Sequence, residues 1–360
     1  MTKRNYGIDL LRIVSMYLIV LNHILLIGGV LGQATQLGTG TFNYKLSWLL
    51  DIICYGAVNC YALISGYVGV TSRYKPQNII RLWLQVLFYS VVLNIAVVAL
   101  VPGLKLSKED LLAMFMPISY QRYWYFSAYF VLFLFIPFLN YLLNNLSRAS
   151  LQKMLFMLIM IFSFGETFIF RVKDFLALNS GYSALWLLVL YLIGGYIRLY
   201  DWNLWHADRL VFSGLVLLSF ICFLVFGGEA GHGRVLVNYP APTILLMAIA
   251  LLAYFKDLKL DPRSIKWIKW FAPLTFGVYL IHLQPMVAVH LMQGRFSSLA
   301  KEAPLILLVD VVGGSLLIYL GCSLLEKLRQ VLFSLLRIEL LVQKIKTLLV
   351  QVVHLGTSRL

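Results

Sequence analysis

The sequence predicts an all-α integral membrane protein with about ten transmembrane helices, both termini cytoplasmic, and an amphipathic helix at its C-terminal end. Composition is the first reason. Of 360 residues, 61% are hydrophobic and 12% charged, with a mean hydropathy of +0.84, and soluble domains do not reach such values. Spacing is the second: ten apolar runs approach or exceed the roughly 20 residues that a crossing helix needs. Charge placement is the third. With the N-terminus inside, 21 of the 30 Lys and Arg residues fall on the side of the termini and nine on the other, the bias that fixes cytoplasmic loops. The net charge of +15 is thereby explained as topology, and no nucleic-acid partner is expected.

In chain order the runs are 10–30, 47–70, 80–101, 124–146, 153–170, 184–200, 210–227, 241–256, 271–291 and 304–325. The eighth is short, and the fifth and sixth are near the lower limit for a crossing. Loops 32–46, 102–123, 171–183, 228–240 and 293–303 lie outside on this topology. Within the second of them, Lys105 to Met116 reads as a short surface helix, a lid or a connector. The inner loop from Lys256 to Trp270 combines five basic residues with Trp267 and Trp270, which suits anchoring to anionic lipid heads. An anionic cytosolic ligand is the competing reading. Cys54, Cys60, Cys222 and Cys322 sit in apolar runs without CxxC or Cys/His spacing; they read as small buried hydrophobes, and no metal site is expected. The stretch from Met1 to Tyr6 is too short and polar for a cleaved signal. Residues 1–326 form one membrane domain, and 327–360 form a basic tail. An apolar stripe at helical spacing (Leu325, Leu328, Leu332, Leu335, Ile338, Val342, Ile345, Leu349, Val352) marks that tail as an amphipathic helix on the inner leaflet or against a partner.

The candidate chemistry starts on the first run. Eleven residues separate Arg12 from His23, three helical turns plus about 20°, so the two share a face about 16 Å apart, with Asp9 beside them. A charged group at the bilayer centre costs about 2.5–3.5 kcal/mol, so this stripe faces protein or water. It is either an ion pair with a core histidine or a site. Depth counted at about 1.5 Å per residue puts Asn59, Tyr61, Glu166, His282 and Asp310 near the level of His23, as interhelical hydrogen bonds or as functional groups. Toward the inner face, Arg12 with Arg73, Lys75 and Arg81 surrounds the small-residue gap at Ser65-Gly66, and such a cluster suits phosphate, which arginine grips with two N–H groups. At the outer end of the fourth run, Tyr123-Trp124-Tyr125 reads as an interfacial aromatic belt, with sugar stacking the alternative.

Arg12-x10-His23, Tyr61-Ala-Leu-Ile-Ser65-Gly66-Tyr67, Tyr123-Trp124-Tyr125-Phe126 before Ile136-Pro137, and Gly277-Val-Tyr279-Leu-Ile-His282 occur in this order. In these elements the chain resembles the integral-membrane acyltransferase family 3 over residues 5–325. The resemblance implies an O-acyltransferase of the cell membrane that uses cytosolic acyl-CoA, usually acetyl-CoA, as donor substrate. It also implies a cell-surface glycan hydroxyl as acceptor and no permanently bound cofactor. Arg12, ordered by Asp9 and helped by Arg73 or Arg81 near Ser65, then holds the donor phosphates. His23 acts as general base or takes the acyl group, and Glu166 or His282 orients it. The stretch after Tyr67 departs from the family pattern, because Pro76 precedes Arg81 where relatives often place proline after a tighter arginine cluster. A transporter or flippase of a glycan or lipid-linked precursor is the rival function.

Overall fold

The computed structural model describes residues 4–170, 174, 176–204, 207–229 and 231–357, and the side chains of 349, 350 and 352–357 are outside that description. Lys3, Arg171, Lys173 and Arg359 of the charge count, and the stripe residues Leu349 and Val352, therefore fall outside the described residues or side chains. The described residues form helices and no strand. In order these are α1 Tyr6–Leu26, α2 Val30–Leu37, α3 Phe42–Tyr55, α4 Ala57–Gly69, α5 Gln77–Leu100, α6 Lys108–Phe115, α7 Trp124–Asn145 and α8 Arg148–Ile159. They continue as α9 Glu166–Phe168, α10 Ala184–Tyr200, α11 Asp208–Val225, α12 Pro242–Lys256 and α13 Pro262–Phe271. The last four are α14 Thr275–His282, α15 Pro285–Val287, α16 Pro304–Leu335 and α17 Ile338–Thr357.

Among the described residues, seven stretches are long and apolar enough to cross a membrane: α1, α3 with α4, α5, α7, 148–168, α11 and α16. An eighth is the pair Pro262–His282 and Pro285–Met292, bent by 61°. The remaining two predicted runs are the shorter apolar helices α10 and α12. At 17 and 15 residues they reach only about 25 Å and 22 Å. Both are nonetheless apolar on nearly every side, because protein surrounds them: Leu187, Leu190, Tyr191, Met247, Ala248 and Leu252 are all almost fully buried.

α1 is the axis of the bundle, packed against α3, α4, α12, α13, α14 and α16. It begins four residues before the predicted run because Asn5 caps it, its side chain accepting from the Ile8 N–H. It stops at the Gly28-Gly29 turn, where Gly29 takes φ 88°. The tightest crossing joins α4 to α10. A Cβ on Gly66 would run into the Tyr191 carbonyl, and one on Gly194 into the Leu63 carbonyl. The two glycines thus let the backbones touch, the packing that small residues permit between membrane helices.

Several expectations change here. The short helix expected between Lys105 and Met116 is α6, narrowed to Lys108–Phe115 and opened by a Ser107–Asp110 capping box; the Ser107 bonds hold the Asp110 carboxyl below its ordinary range. Asp310 is exposed on α16, not part of a buried polar layer, because its neighbours Leu307 and Val311 take the inward face. α16 runs past 326 to Leu335, and the chain turns only at Arg337, with φ 51°. Within it Glu326 is buried and fully occupied, accepting from Gln85, Tyr89, Arg329 and Gln330.

Candidate active site

At the N-terminal end of α1 lies a polar cavity of about 350 Å³. Asp9 organises it: one carboxylate oxygen accepts from Arg4 Nε at 2.5 Å and the other from Arg12 Nη1 at 3.1 Å. Across the cavity, Arg198 near the end of α10 donates from Nη1 to the Tyr67 hydroxyl at 3.1 Å, with its guanidinium over the Tyr67 ring. The three guanidiniums of Arg4, Arg12 and Arg198 line the space with Thr71 and Ser72.

The partners expected for Arg12 lie elsewhere. Arg73 is exposed in the turn after α4 and does not line this cavity. Arg81 is held on α17 by Glu339, donating at 2.9 and 2.5 Å. Ser65 spends its hydroxyl on the Tyr61 carbonyl one turn back, at 2.9 Å. Arg4 and Arg198 take their place: Arg4 from the segment just before α1, through Asp9, and Arg198 from the distant α10, which packs on α4.

Further along α1, and sharing no wall residue with that cavity, is a neck of about 40 Å³ lined by Met16, Ile19, Tyr61, Tyr125, Phe276 and Tyr279, with His23 at its far end. Tyr61 is occupied, donating to the Arg12 carbonyl at 2.8 Å. The Tyr125 hydroxyl is buried without a hydrogen-bond partner among the described residues.

His23 stands where the neck opens into a further cavity of about 230 Å³. Its Nδ1 lies 3.1 Å from Nε2 of His282, the last residue of α14. His282 Nδ1 is in turn 2.6 Å from the carbonyl oxygen of Val278. A carbonyl only accepts, so Nδ1 of His282 carries the proton and, for uncharged rings, its Nε2 is an acceptor. His23 Nδ1 is then the donor, and His23 Nε2 keeps the unshared lone pair. One backbone carbonyl thereby sets the tautomer of two rings.

The cavity beyond His23 is aromatic. Tyr123 is 2% exposed, and Trp124 lies against Tyr182 and stacks on Tyr239 at 4.5 and 6.0 Å between ring centres. These rings face the interior and do not form a lipid-facing belt, because Tyr123 donates to the Leu280 carbonyl at 3.1 Å on the broken helix. Asn22, next to His23, donates to the buried Asp51 at 2.6 Å. Through the shared walls Tyr55 and Tyr182 the space continues into a polar cavity of about 450 Å³ that contains Glu166 and Arg234. A π-helical turn over Met160–Gly165 delivers Glu166 to that cavity. Glu166 therefore sits in the polar cavity with Arg234 and makes no hydrogen bond to either imidazole among the described residues.

A family profile described as an acyltransferase domain, of acyltransferase family 3, matches residues 5–327. The chain belongs to the acyltransferase 3 family. Neither curated proteins nor solved structures gave a match.

In this membrane acyltransferase the structure brings together Arg12 with Asp9 and His23 with His282. It sets Glu166 apart from the imidazoles, and Ser65, Arg73 and Arg81 apart from the Arg12 cavity. Asn59 and Tyr61 are internal hydrogen-bonding groups: Asn59 donates to the Tyr239 carbonyl and accepts from Trp186 Nε1. The residues that the sequence did not single out are Arg4 and Arg198, while Tyr125 stood out there only as one of an aromatic group. Arg4 and Arg198 do fall in the terminal-side charge group, which is the one signal that could have selected them.

Proposed function

We propose that this acyltransferase carries an acyl group, most simply acetyl, from cytosolic acyl-CoA to a hydroxyl of a cell-surface glycan. On this reading the protein lies in the plasma membrane with ten crossings and both termini in the cytoplasm. The single observation that carries the reading is the imidazole relay, placed between a guanidinium-lined cavity and an aromatic one.

Arg12, Arg4 and Arg198 suit the phosphates of the donor, since guanidinium–phosphate bonds are charge-assisted and paired. The pantetheine arm runs through the neck and brings the thioester carbonyl to His23. His23 Nε2 takes the acceptor hydroxyl proton as that oxygen attacks the carbonyl carbon. The negative charge gathers on the former carbonyl oxygen, and we assign the Tyr125 hydroxyl as its donor, because it lines the same neck with nothing else to bond. Collapse breaks the carbon–sulfur bond, and the proton on His23 leaves with the CoA thiolate.

The test is purified full-length protein with labelled acetyl-CoA and a surface polysaccharide extract. Label on the polysaccharide from the wild type, and none from a properly inserted His23→Ala variant, is the expected outcome. Movement of glycan across vesicles without CoA release would instead establish the transporter reading.

A further inference from the structure

The polar cavity that contains Arg234 holds one group that the reaction above does not use. Glu166 is 7% exposed, and its Oε2 has no hydrogen-bond partner among the described residues. A buried carboxyl oxygen left unpaired loses its hydration without a protein bond in return, and such groups persist where a ligand completes them. Among its polar neighbours, Asp174, Asn238 and Arg234 already have partners. Asp174 accepts from the Leu178 and Asn179 N–H groups. Asn238 donates to the Val235 carbonyl and accepts from the Ala241 N–H. Arg234 donates to the Tyr55 hydroxyl at 3.2 Å, pairs with Glu229 at 3.8 Å and lies over the Trp48 ring. Glu166 Oε2 is therefore buried acceptor capacity that the described lining leaves unpaired.

We infer that Glu166 is the acceptor-binding residue of this chamber and that it selects a sugar ring bearing hydroxyl or ammonium groups over one bearing a carboxylate. This rests on the acyl-transfer reading above and adds the acceptor's class to it. A sugar hydroxyl both donates and accepts, so it satisfies the carboxyl oxygen in either protonation state. An ammonium satisfies it through charge. A uronate would add a negative charge beside the carboxyl groups of Glu166 and Asp174, where Arg234 is the one cation of the described lining and already faces Glu229. The size of the chamber, about 450 Å³, accommodates one or two sugar rings. Tyr55 and Tyr182, shared with the His23 cavity, give the ring an apolar face to lie on and direct its next hydroxyl toward His23.

The experiment uses full-length protein in detergent, with three methyl glycosides as probes: a neutral hexoside, an aminohexoside and a uronoside. Acceptor binding is read by saturation-transfer NMR, acyl transfer by label from acetyl-CoA, and donor binding by calorimetry. The wild type is expected to bind the first two and not the third. Glu166→Gln is expected to weaken acceptor binding about ten-fold, the size of one lost charge-assisted hydrogen bond, with donor affinity unchanged. Loss confined to the aminohexoside identifies ammonium pairing as the source; equal loss for both identifies hydroxyl recognition. Glu166→Asp, which keeps the charge and moves it back by one methylene, is expected to fall between and guards against a variant that fails to fold. Unchanged acceptor binding in a folded Glu166→Gln protein, or preferred binding of the uronoside, overturns the inference. If the glycosides bind as expected while acetyl-CoA is never consumed, the transfer reading fails and the chamber assignment stands.

Discussion

His23 Nδ1 and His282 Nε2 stand 3.1 Å apart, and the second ring is fixed by a carbonyl of its own helix, that of Val278 one turn back. Familiar triads fix the base with a carboxylate, which also stabilises the imidazolium. Here the backbone fixes the tautomer without adding a charge. His282→Ala should therefore leave donor affinity intact and lower kcat by about 10² or more, the range seen when a base loses its orienting partner. Steady-state kinetics beside donor calorimetry checks this; an unchanged kcat would remove His282 from the relay.

Tyr125→Phe separates chemistry from stability. Its hydroxyl is buried and unpartnered, so deleting it should not destabilise the fold, and thermal unfolding should be unchanged or higher. If that hydroxyl meets the developing oxyanion, kcat should fall about 10²-fold with little change in donor binding.

Arg198→Ala and Arg81→Ala should behave differently although both replace a guanidinium near the same end of the bundle. Arg198 lines the Arg12 cavity, and its loss should weaken acyl-CoA binding about ten-fold or more. Arg81 is bound to Glu339, so its loss should leave donor affinity unchanged and free α17, read as faster hydrogen exchange in that helix.

The same contact gives a pH dependence. Bonds from Arg81 and then Gln343 pull the Glu339 carboxyl from 4.5 down to about 2. A carboxyl whose folded value lies below its unfolded one contributes stability above the unfolded value, and that contribution fades as pH falls toward the folded one. Docking of α17 should thus be complete at pH 6 and loosen progressively below about pH 4.5. Both side chains are about half exposed, so 0.5 M salt should weaken the contact as well. Hydrogen exchange of 338–348 measures both effects, and Glu339→Gln should abolish the pH response.

What the sequence reveals about this site follows from how local the information is. Arg12 and His23 lie on one helix, so the 3.6-residue period is enough to put them on one face. His282 shares a depth with His23, and depth can be counted from the helix ends. The arginine partners cannot be found that way. Arg198 reaches the cavity only because Gly66 and Gly194 bring α4 and α10 into backbone contact, a relation no single segment encodes. Tyr123-Trp124-Tyr125 has the composition of an interfacial belt, and only the break before Pro285, which presents the Leu280 carbonyl to Tyr123, turns the group inward. Counting along the fifth run puts Glu166 level with His23, but a π-helical turn delivers it to the cavity that holds Arg234. Arg81 was drawn away by an acidic residue more than 250 positions along the chain.

Because Arg12 and His23 are carried by one unbroken helix, their separation behaves as a rigid ruler. No domain closure or loop movement can shorten it. On the proposed reaction a donor is measured against that length: its anionic head and its reactive carbonyl must lie about three helical turns apart, roughly 16 Å. A short activated acyl compound such as an acyl phosphate can touch one mark or the other, never both. It should react poorly however labile its bond.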